Sequence, residues 1–168
     1  MYSQPHTLRS NWPVQALFNF LCDIDTYSQW RSGLNATEWL SADHHVAGAS
    51  YLEVFHRPEA PARQVHVLAY HPAQLREVAY KQANVEYQVL WQFSAEGSCT
   101  VLRYSVKVNC PPLVKWTESF LTERALKELG NDLQRVIELL EADPVGHQMP
   151  EKSQKIPDSL NTADTPLS

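Results

Sequence analysis

The sequence predicts an α+β domain in which an antiparallel sheet is followed by one long C-terminal helix, with two short helices after the first strand. Three observations predict it. Val85, Tyr87, Val89, Trp91 and Phe93 share one side of an extended segment against Glu86, Gln88 and Gln92, the period of a half-buried strand. Shorter runs of the same kind lie on both sides of it, between turn residues. Beyond Pro111-Pro112 the period becomes helical, with Leu126, Leu129, Leu133, Val136, Ile137 and Leu140 in one stripe.

Residues 5–12 read as the first strand. Pro13 suits the first position of a helix, with Asn11 or Trp12 near the cap. Val14, Leu17, Phe18, Leu21 and Cys22 recur at helical spacing until Asp23 and Asp25 break the run. Asp25 is placed to cap a second short helix carrying Tyr27 and Trp30, which Gly33 ends. Residues 36–40 read as a strand, followed by a polar turn through Asp43, His44, His45 and Gly48. Further strands are expected over 50–56, stopped by Pro58 and Pro61, over 64–70, ended by His71-Pro72, and over 75–81, with a turn at Asn84. Residues 85–93 follow, and after the Glu96-Gly97 turn Thr100, Leu102, Tyr104, Val106 and Val108 alternate with Val101, Arg103, Ser105 and Lys107. Such strands joined by short turns pair antiparallel. The long helix is expected over 113–142. Its first half carries a second stripe, Leu113, Trp116 and Phe120, nearly opposite the first on a straight cylinder. Either the helix bends near 121–125 or its first half meets a different environment.

At 168 residues, with 43% hydrophobic and 20% charged residues, the chain has the composition of one ordinary globular domain. A net charge of −5 offers no basic footprint for nucleic acid, and no segment has the ~18 apolar residues of a membrane span. The first residues lack a signal-peptide pattern. Cys22, Cys99 and Cys110 are an odd count at unrelated spacings, which suits reduced thiols in a cytoplasmic protein. The domain is expected over residues 1–142. Residues 143–168 contain no Phe, Trp or Tyr and are interrupted by Pro144, Pro150, Pro157 and Pro166. They are expected to be a disordered tail, or at most draped on the surface.

Three stretches carry a resemblance to a known family. "PVQALFNFLCDIDTYSQW" is similar to the opening helix, acidic turn and Trp-bearing second helix of the START-like superfamily (SRPBCC), which includes polyketide cyclases and birch-pollen-allergen-like proteins. "AYHPAQLREVAY" resembles its Pro-containing strand junction, and "FSAEGSCTVLRYSVKV" its Gly-turn hairpin. The resemblance covers residues 5–142. It implies the helix-grip fold, a curved antiparallel sheet wrapped around the long C-terminal helix, with an apolar pocket between them. Tyr27 and Trp30 would then stand at one end of the pocket or pin the short helices to the sheet. The pocket wall is expected from Trp30, Phe55, Tyr80, Tyr87, Val89, Trp91, Tyr104, Trp116 and Phe120, as one elongated cavity.

No residue pattern fixes a chemistry. His66 and His71 fall on opposite faces of a strand, His44-His45 sits in a turn, and the two-His-one-acid arrangement of related iron oxygenase domains is not evident, so no metal or other cofactor is expected. The sequence has neither a phosphate loop nor a nucleophile elbow, and Cys22 on an apolar helix face reads as core. Acid–base chemistry has candidates. Glu53 shares a strand face with Tyr51 and Phe55; on an inner face its pKa would rise and it could move protons, whereas Leu52 and Val54 compete for that face. Gln64, His66, Leu68 and Tyr70 pose the same choice against Val65, Val67 and Ala69, and Arg76, Val78 and Tyr80 against Leu75, Glu77 and Ala79. Arg103 is expected outside. The candidate catalytic set is Glu53, Tyr51 and His66.

Three functions are compatible with this reading. One is a pocket protein that cyclises or dehydrates a polyketide-like substrate, a lyase or isomerase without metal or nucleotide. The second is a non-catalytic carrier or sensor for a lipid or isoprenoid. The third is a protein-interaction module. The expected partner is a hydrophobic small molecule, with a second copy of the chain left open; nucleic acid and a membrane span are not expected.

Overall fold

The computed structural model describes residues 1–57 and 60–142; the expected disordered tail, 143–168, lies outside them. The chain runs β1 (His6–Ser10), α1 (Val14–Cys22), a 3-10 turn (Ile24–Thr26), α2 (Tyr27–Trp30), β2 (Leu34–Trp39), β3 (Ser50–Phe55), β4 (Arg63–His71), β5 (Leu75–Gln82), β6 (Val85–Glu96), β7 (Cys99–Asn109), a 3-10 segment (Pro112–Thr117) and α3 (Glu118–Ala142). All strand pairs are antiparallel, and the seven strands lie in the order β1-β7-β6-β5-β4-β3-β2. This is the helix-grip α+β fold that the resemblance implies. The chain returns β1 to the far edge beside β7, so α1 and α2 cross one face of the sheet before β2 begins at the other edge.

The alternation in β6 places Val85, Tyr87, Val89, Trp91 and Phe93 on the inner face. Leu102, Tyr104, Val106 and Val108 of β7 join them. In β4 neither alternation wins outright. Val65 and Val67 are buried, a register shift follows between Val67 and Ala69, and Tyr70 then packs inward against Phe18 with ring centroids 5.3 Å apart. A bulge inserts one unpaired residue and exchanges the faces of the positions beyond it, which is why a single alternation does not describe this strand.

At the first helix, Pro13 is the N-cap rather than the first helical residue. The acidic turn is capped by Asp23, whose carboxylate accepts from the Asp25 N–H at 3.0 Å, not by Asp25. The largest difference lies at the start of the C-terminal helix. Pro111-Pro112 leads into a 3-10 segment broken at Val114 (φ −123°), and regular helix begins only at Glu118. Leu126, Leu133, Val136, Ile137 and Leu140 pack on the sheet, each such side chain contributing about 1.5–3 kcal/mol by leaving water. The first-half stripe has no such cover. The two stripes therefore belong to two kinds of helix, one docked and one standing off the sheet.

Candidate functional site

The inner face of the sheet is apolar except for one polar strip along β3, β4 and β5. Tyr51, Glu53 and Phe55 project inward from β3, and Arg76, Val78 and Tyr80 from β5. Arg31 follows directly after α2, and Arg63 begins β4 opposite Glu53 in the register. Glu53 is fully buried. Its Oε2 accepts from Arg63 Nε at 2.8 Å and from the same guanidinium's Nη2, while Oε1 accepts from Arg31. Burial alone would push its pKa up, but Arg31 first and Arg63 second outweigh burial and hold the carboxyl below its usual range. This corrects the expectation of a raised pKa. Glu53 does occupy the inner face, yet two guanidiniums keep it ionised, because a buried carboxylate persists as an anion only when it is paired.

Arg63 is itself held on two sides. Its guanidinium stands 3.9 Å from the Tyr80 ring centroid and 4.9 Å from that of Phe55, within cation–π range. Tyr80 in turn stacks on Tyr87, centroids 5.1 Å apart and planes 9° apart. Burial raises the pKa of Tyr51 well above its ordinary value and raises that of Tyr80, so both remain neutral hydroxyl groups. Burial works against the charge on Arg31, and the neighbouring Glu53 carboxylate outweighs it and raises the Arg31 pKa.

The strip changes character along its length. At the closed end Arg76 is 2% exposed, donates to the Tyr27 hydroxyl and lies between 5.5 and 5.9 Å from the ring centroids of Tyr27, Tyr51 and Trp91. Trp30, packed edge-on against Tyr27 at 5.2 Å, closes the core behind it. At the other end Phe55, Val78, Tyr80, Tyr87 and Val89 are only partly buried, as are Leu121, Ala125 and Leu129 of α3.

The candidate residues thus separate. Glu53 and Tyr51 share the inner wall, as do Phe55, Tyr80, Tyr87 and Val89. Trp30 and Trp91 are core, 6.3 Å apart. His66 points to the outer face, where it lines a depression of about 310 Å³ with Gln64, Ala79 and Lys81; the register that buries Val65 and Val67 excludes it from the inner wall. Tyr104 borders a separate cleft of about 370 Å³ between α3 and the β1–β7 edge, with His6, Leu126 and Gly130. Trp116 and Phe120 are 83% and 65% exposed. Their place in a single cavity with Trp30 and Tyr87 is not realised: Trp116 lies in the 3-10 segment that is broken at Val114, and Phe120 in the first turn of α3, ahead of the buried stretch that starts at Leu126. Cys22 is buried and its thiol is pushed up to about 11, chiefly by burial, as a core cysteine should be. Arg103 lies outside and pairs with Glu96 at 2.8 Å. Among the described residues no group of three or more His, Cys, Asp or Glu side chains could hold a metal ion, and no helix is long and apolar enough to cross a membrane.

Arg31 and Arg63 have no counterpart in the sequence reading. Arg31 sits between the second-helix pattern and Gly33, where a charged residue reads as solvated. Arg63 precedes the expected strand by one residue. The available signal was the hairpin itself: pairing 50–55 against the next strand sets an arginine opposite Glu53.

No family model matches the chain, and no curated protein matches its sequence. Solved structures do. A START superfamily protein from Mycobacterium smegmatis superposes with a TM-score of 0.63 at 15% identity, over 83% of this chain and 98% of its own. A norcoclaurine synthase point mutant from Thalictrum, in complex with a transition-state analogue, gives 0.60 at 13% identity, over 84% and 97%. The di-domain ARO/CYC StfQ from the steffimycin biosynthetic pathway gives 0.62 at 14% identity. This chain is 84% covered in that match and spans 46% of StfQ. At these identities the likeness establishes the fold alone: the chain has the fold of this START superfamily protein, of the norcoclaurine synthase and of StfQ.

Proposed function

We propose that the chain binds a hydrophobic small molecule against the inner wall of its sheet, at the end where Tyr80 stacks on Tyr87. One observation carries this reading. Apolar and aromatic side chains from β3, β5 and β6 remain half-buried there, as do Leu121 and Leu129 of α3, whereas Trp30, Tyr51 and Trp91 towards the other end are buried. Apolar walls with a few fixed polar groups are what small-molecule sites are made of, and the Arg31–Glu53–Arg63 cluster supplies the fixed polar groups. The likeness to a di-domain ARO/CYC and to a norcoclaurine synthase supports a small organic ligand. The enzymatic form of the reading is acid–base chemistry during cyclisation or dehydration of a polyketide-like chain. In it the neutral hydroxyls of Tyr51 and Tyr80 donate, and Glu53 orients the two arginines rather than carrying the proton.

The test is a fluorescence titration with N-phenyl-1-naphthylamine, a neutral apolar dye. Saturable binding is expected, weakened about tenfold or more by Tyr87→Ala, which removes the side chain's contact area and stacking, and unchanged by Trp116→Ala. A dye that fails to bind the folded protein overturns the reading. One observation favours a second reading, that of an interaction module: Leu113, Trp116 and Phe120 form an exposed apolar group at the start of the C-terminal helix. The dye result with Tyr87→Ala separates the two.

A further inference from the structure

Arg76 and Trp91 are register partners on β5 and β6, both project inward, and both carry a buried donor that nothing accepts. Arg76 Nε and Trp91 Nε1 have no hydrogen-bond partner among the described residues. Buried N–H groups are almost always paired, so two orphaned donors on adjacent, same-face positions mark a missing acceptor. The imbalance is one of charge as well. Arg76 is 2% exposed, and among the described residues no carboxylate lies within ion-pair distance of it; the inner-wall carboxylate, Glu53, is engaged by Arg31 and Arg63. The polar strip therefore holds three guanidiniums against one carboxylate, in a chain whose net charge is −5. What surrounds Arg76 instead is neutral: the Tyr27 hydroxyl that accepts from it, the Cys22 thiol beside it and the rings of Tyr27, Tyr51 and Trp91. Rings orient a guanidinium without neutralising it, so the Arg76 charge and its Nε–H remain unmatched.

We propose that Arg76 and Trp91 form the receptor for an anionic oxygen of the ligand, a carboxylate or a conjugated enolate, at the closed end of the inner wall. The inference rests on the ligand-binding reading above and narrows its ligand to hydrophobic molecules with one acidic group. The Tyr80–Tyr87 end takes the apolar body. Arg76 stands on the same face of β5 as Val78 and Tyr80, two and four positions away, at about 3.4 Å of rise per residue. Trp91 donates a neutral N–H and Arg76 a charged one. A neutral amide offers the pair an acceptor without charge, whereas a carboxylate satisfies both donors and the charge.

Two probes that differ only in this respect make the test: naphthalene-2-carboxylate and naphthalene-2-carboxamide, titrated by calorimetry against the full chain at matched ionic strength. The carboxylate is expected to bind about tenfold tighter or more, the increment of a charge-assisted hydrogen bond. Arg76→Gln should erase that preference by weakening the carboxylate about tenfold more than the carboxamide, and Trp91→Phe should reduce it. Arg76→Lys, which keeps the charge and loses the Nε donor, should retain part of it should Arg76→Gln fail to fold. Equal affinities in the wild type, or a preference that survives in Arg76→Gln, would overturn the proposal and leave only water at these donors. A second arm uses acetate against acetamide and reads the melting temperature. Acetate should raise it more than acetamide in the wild type and not in Arg76→Gln. That arm needs no apolar contact, so an anion effect without naphthalene binding would remove the hydrophobic-ligand reading and keep the receptor. Naphthalene binding without any anion effect would do the reverse.

Discussion

Glu53 and Arg63 face each other across the β3–β4 pair and are joined at 2.8 Å through Arg63 Nε. The sheet therefore fixes the ion pair through its backbone ladder, and Arg31 closes it from the helix side. Breaking a buried pair on one side leaves the other charges unpaired, which typically costs about 3–5 kcal/mol. Glu53→Gln is expected to lose that order of stability at pH 7 in urea denaturation. The pH dependence follows from the sign of the shift. The folded pKa is depressed below its ordinary value of 4.5, so the contribution is complete above that value and is lost as pH falls through the folded pKa. The wild-type and Glu53→Gln stability curves should therefore begin to converge as pH falls below 4.5. Parallel curves from pH 7 to pH 3 would show that the pairing does not stabilise the fold.

The cysteines give a chemical test of the core. Burial pushes the Cys22 thiol up to about 11, so almost no thiolate exists at pH 8 and the sulfur is shielded. Cys99 is half-exposed at the β6–β7 turn, and Cys110 is buried. Ellman's reagent at pH 8 should label Cys99 first. Cys22 should react only on a timescale set by unfolding, and full labelling of it in the native protein within minutes would contradict the placement of α1.

Gly130 lies in the middle of α3, where a Cβ would sit 3.0 Å from the Tyr104 hydroxyl oxygen. Alanine in a helix interior is favoured over glycine by about 1 kcal/mol, but here the added methyl must push that hydroxyl aside. Gly130→Ala alone is expected to be close to neutral. In a Tyr104→Phe background, which removes the contacted oxygen, the same change should stabilise by about 0.5–1 kcal/mol. Equal effects in both backgrounds would mean that α3 does not approach β7 this closely.

Much of the fold was legible because its signals are local. The period of β6, the Gly97 turn and the leucine stripe of α3 each report on neighbours within a few residues. The face of β3 was not legible, since Leu52 and Val54 compete with Tyr51 and Glu53 on hydrophobicity alone. Only the two arginines, supplied from residues 31 and 63, make the inner placement of Glu53 tolerable. The β4 face was hidden by its bulge, which divides one alternation into two. Trp116 and Phe120 misled for a physical reason as well. Trp116 lies in the 3-10 segment beyond the break at Val114, and Phe120 in the first turn of α3, before the stretch from Leu126 onward that is buried on the sheet, so a helical stripe there has no surface to meet.

The two tryptophans that the sequence placed on one cavity make the sharpest contrast. Trp30 is 1% exposed, and its indole N–H donates to Thr26 Oγ1 at 3.3 Å. Its ring packs edge-on against Tyr27 and lies tilted 6.3 Å from Trp91. Removing it opens a void at the junction of α2 and the sheet, so Trp30→Ala is expected to cost about 3–5 kcal/mol. Trp116 stands in solvent, and Trp116→Ala should stay within about 0.5 kcal/mol of wild type. Chemical denaturation of the two variants followed by circular dichroism measures both values, and intrinsic fluorescence adds a check. Iodide should quench Trp116 readily and Trp30 hardly at all, so the emission accessible to iodide should fall in Trp116→Ala and persist in Trp30→Ala. A large stability loss in Trp116→Ala would place that ring against the domain after all, and with it the first half of the C-terminal helix.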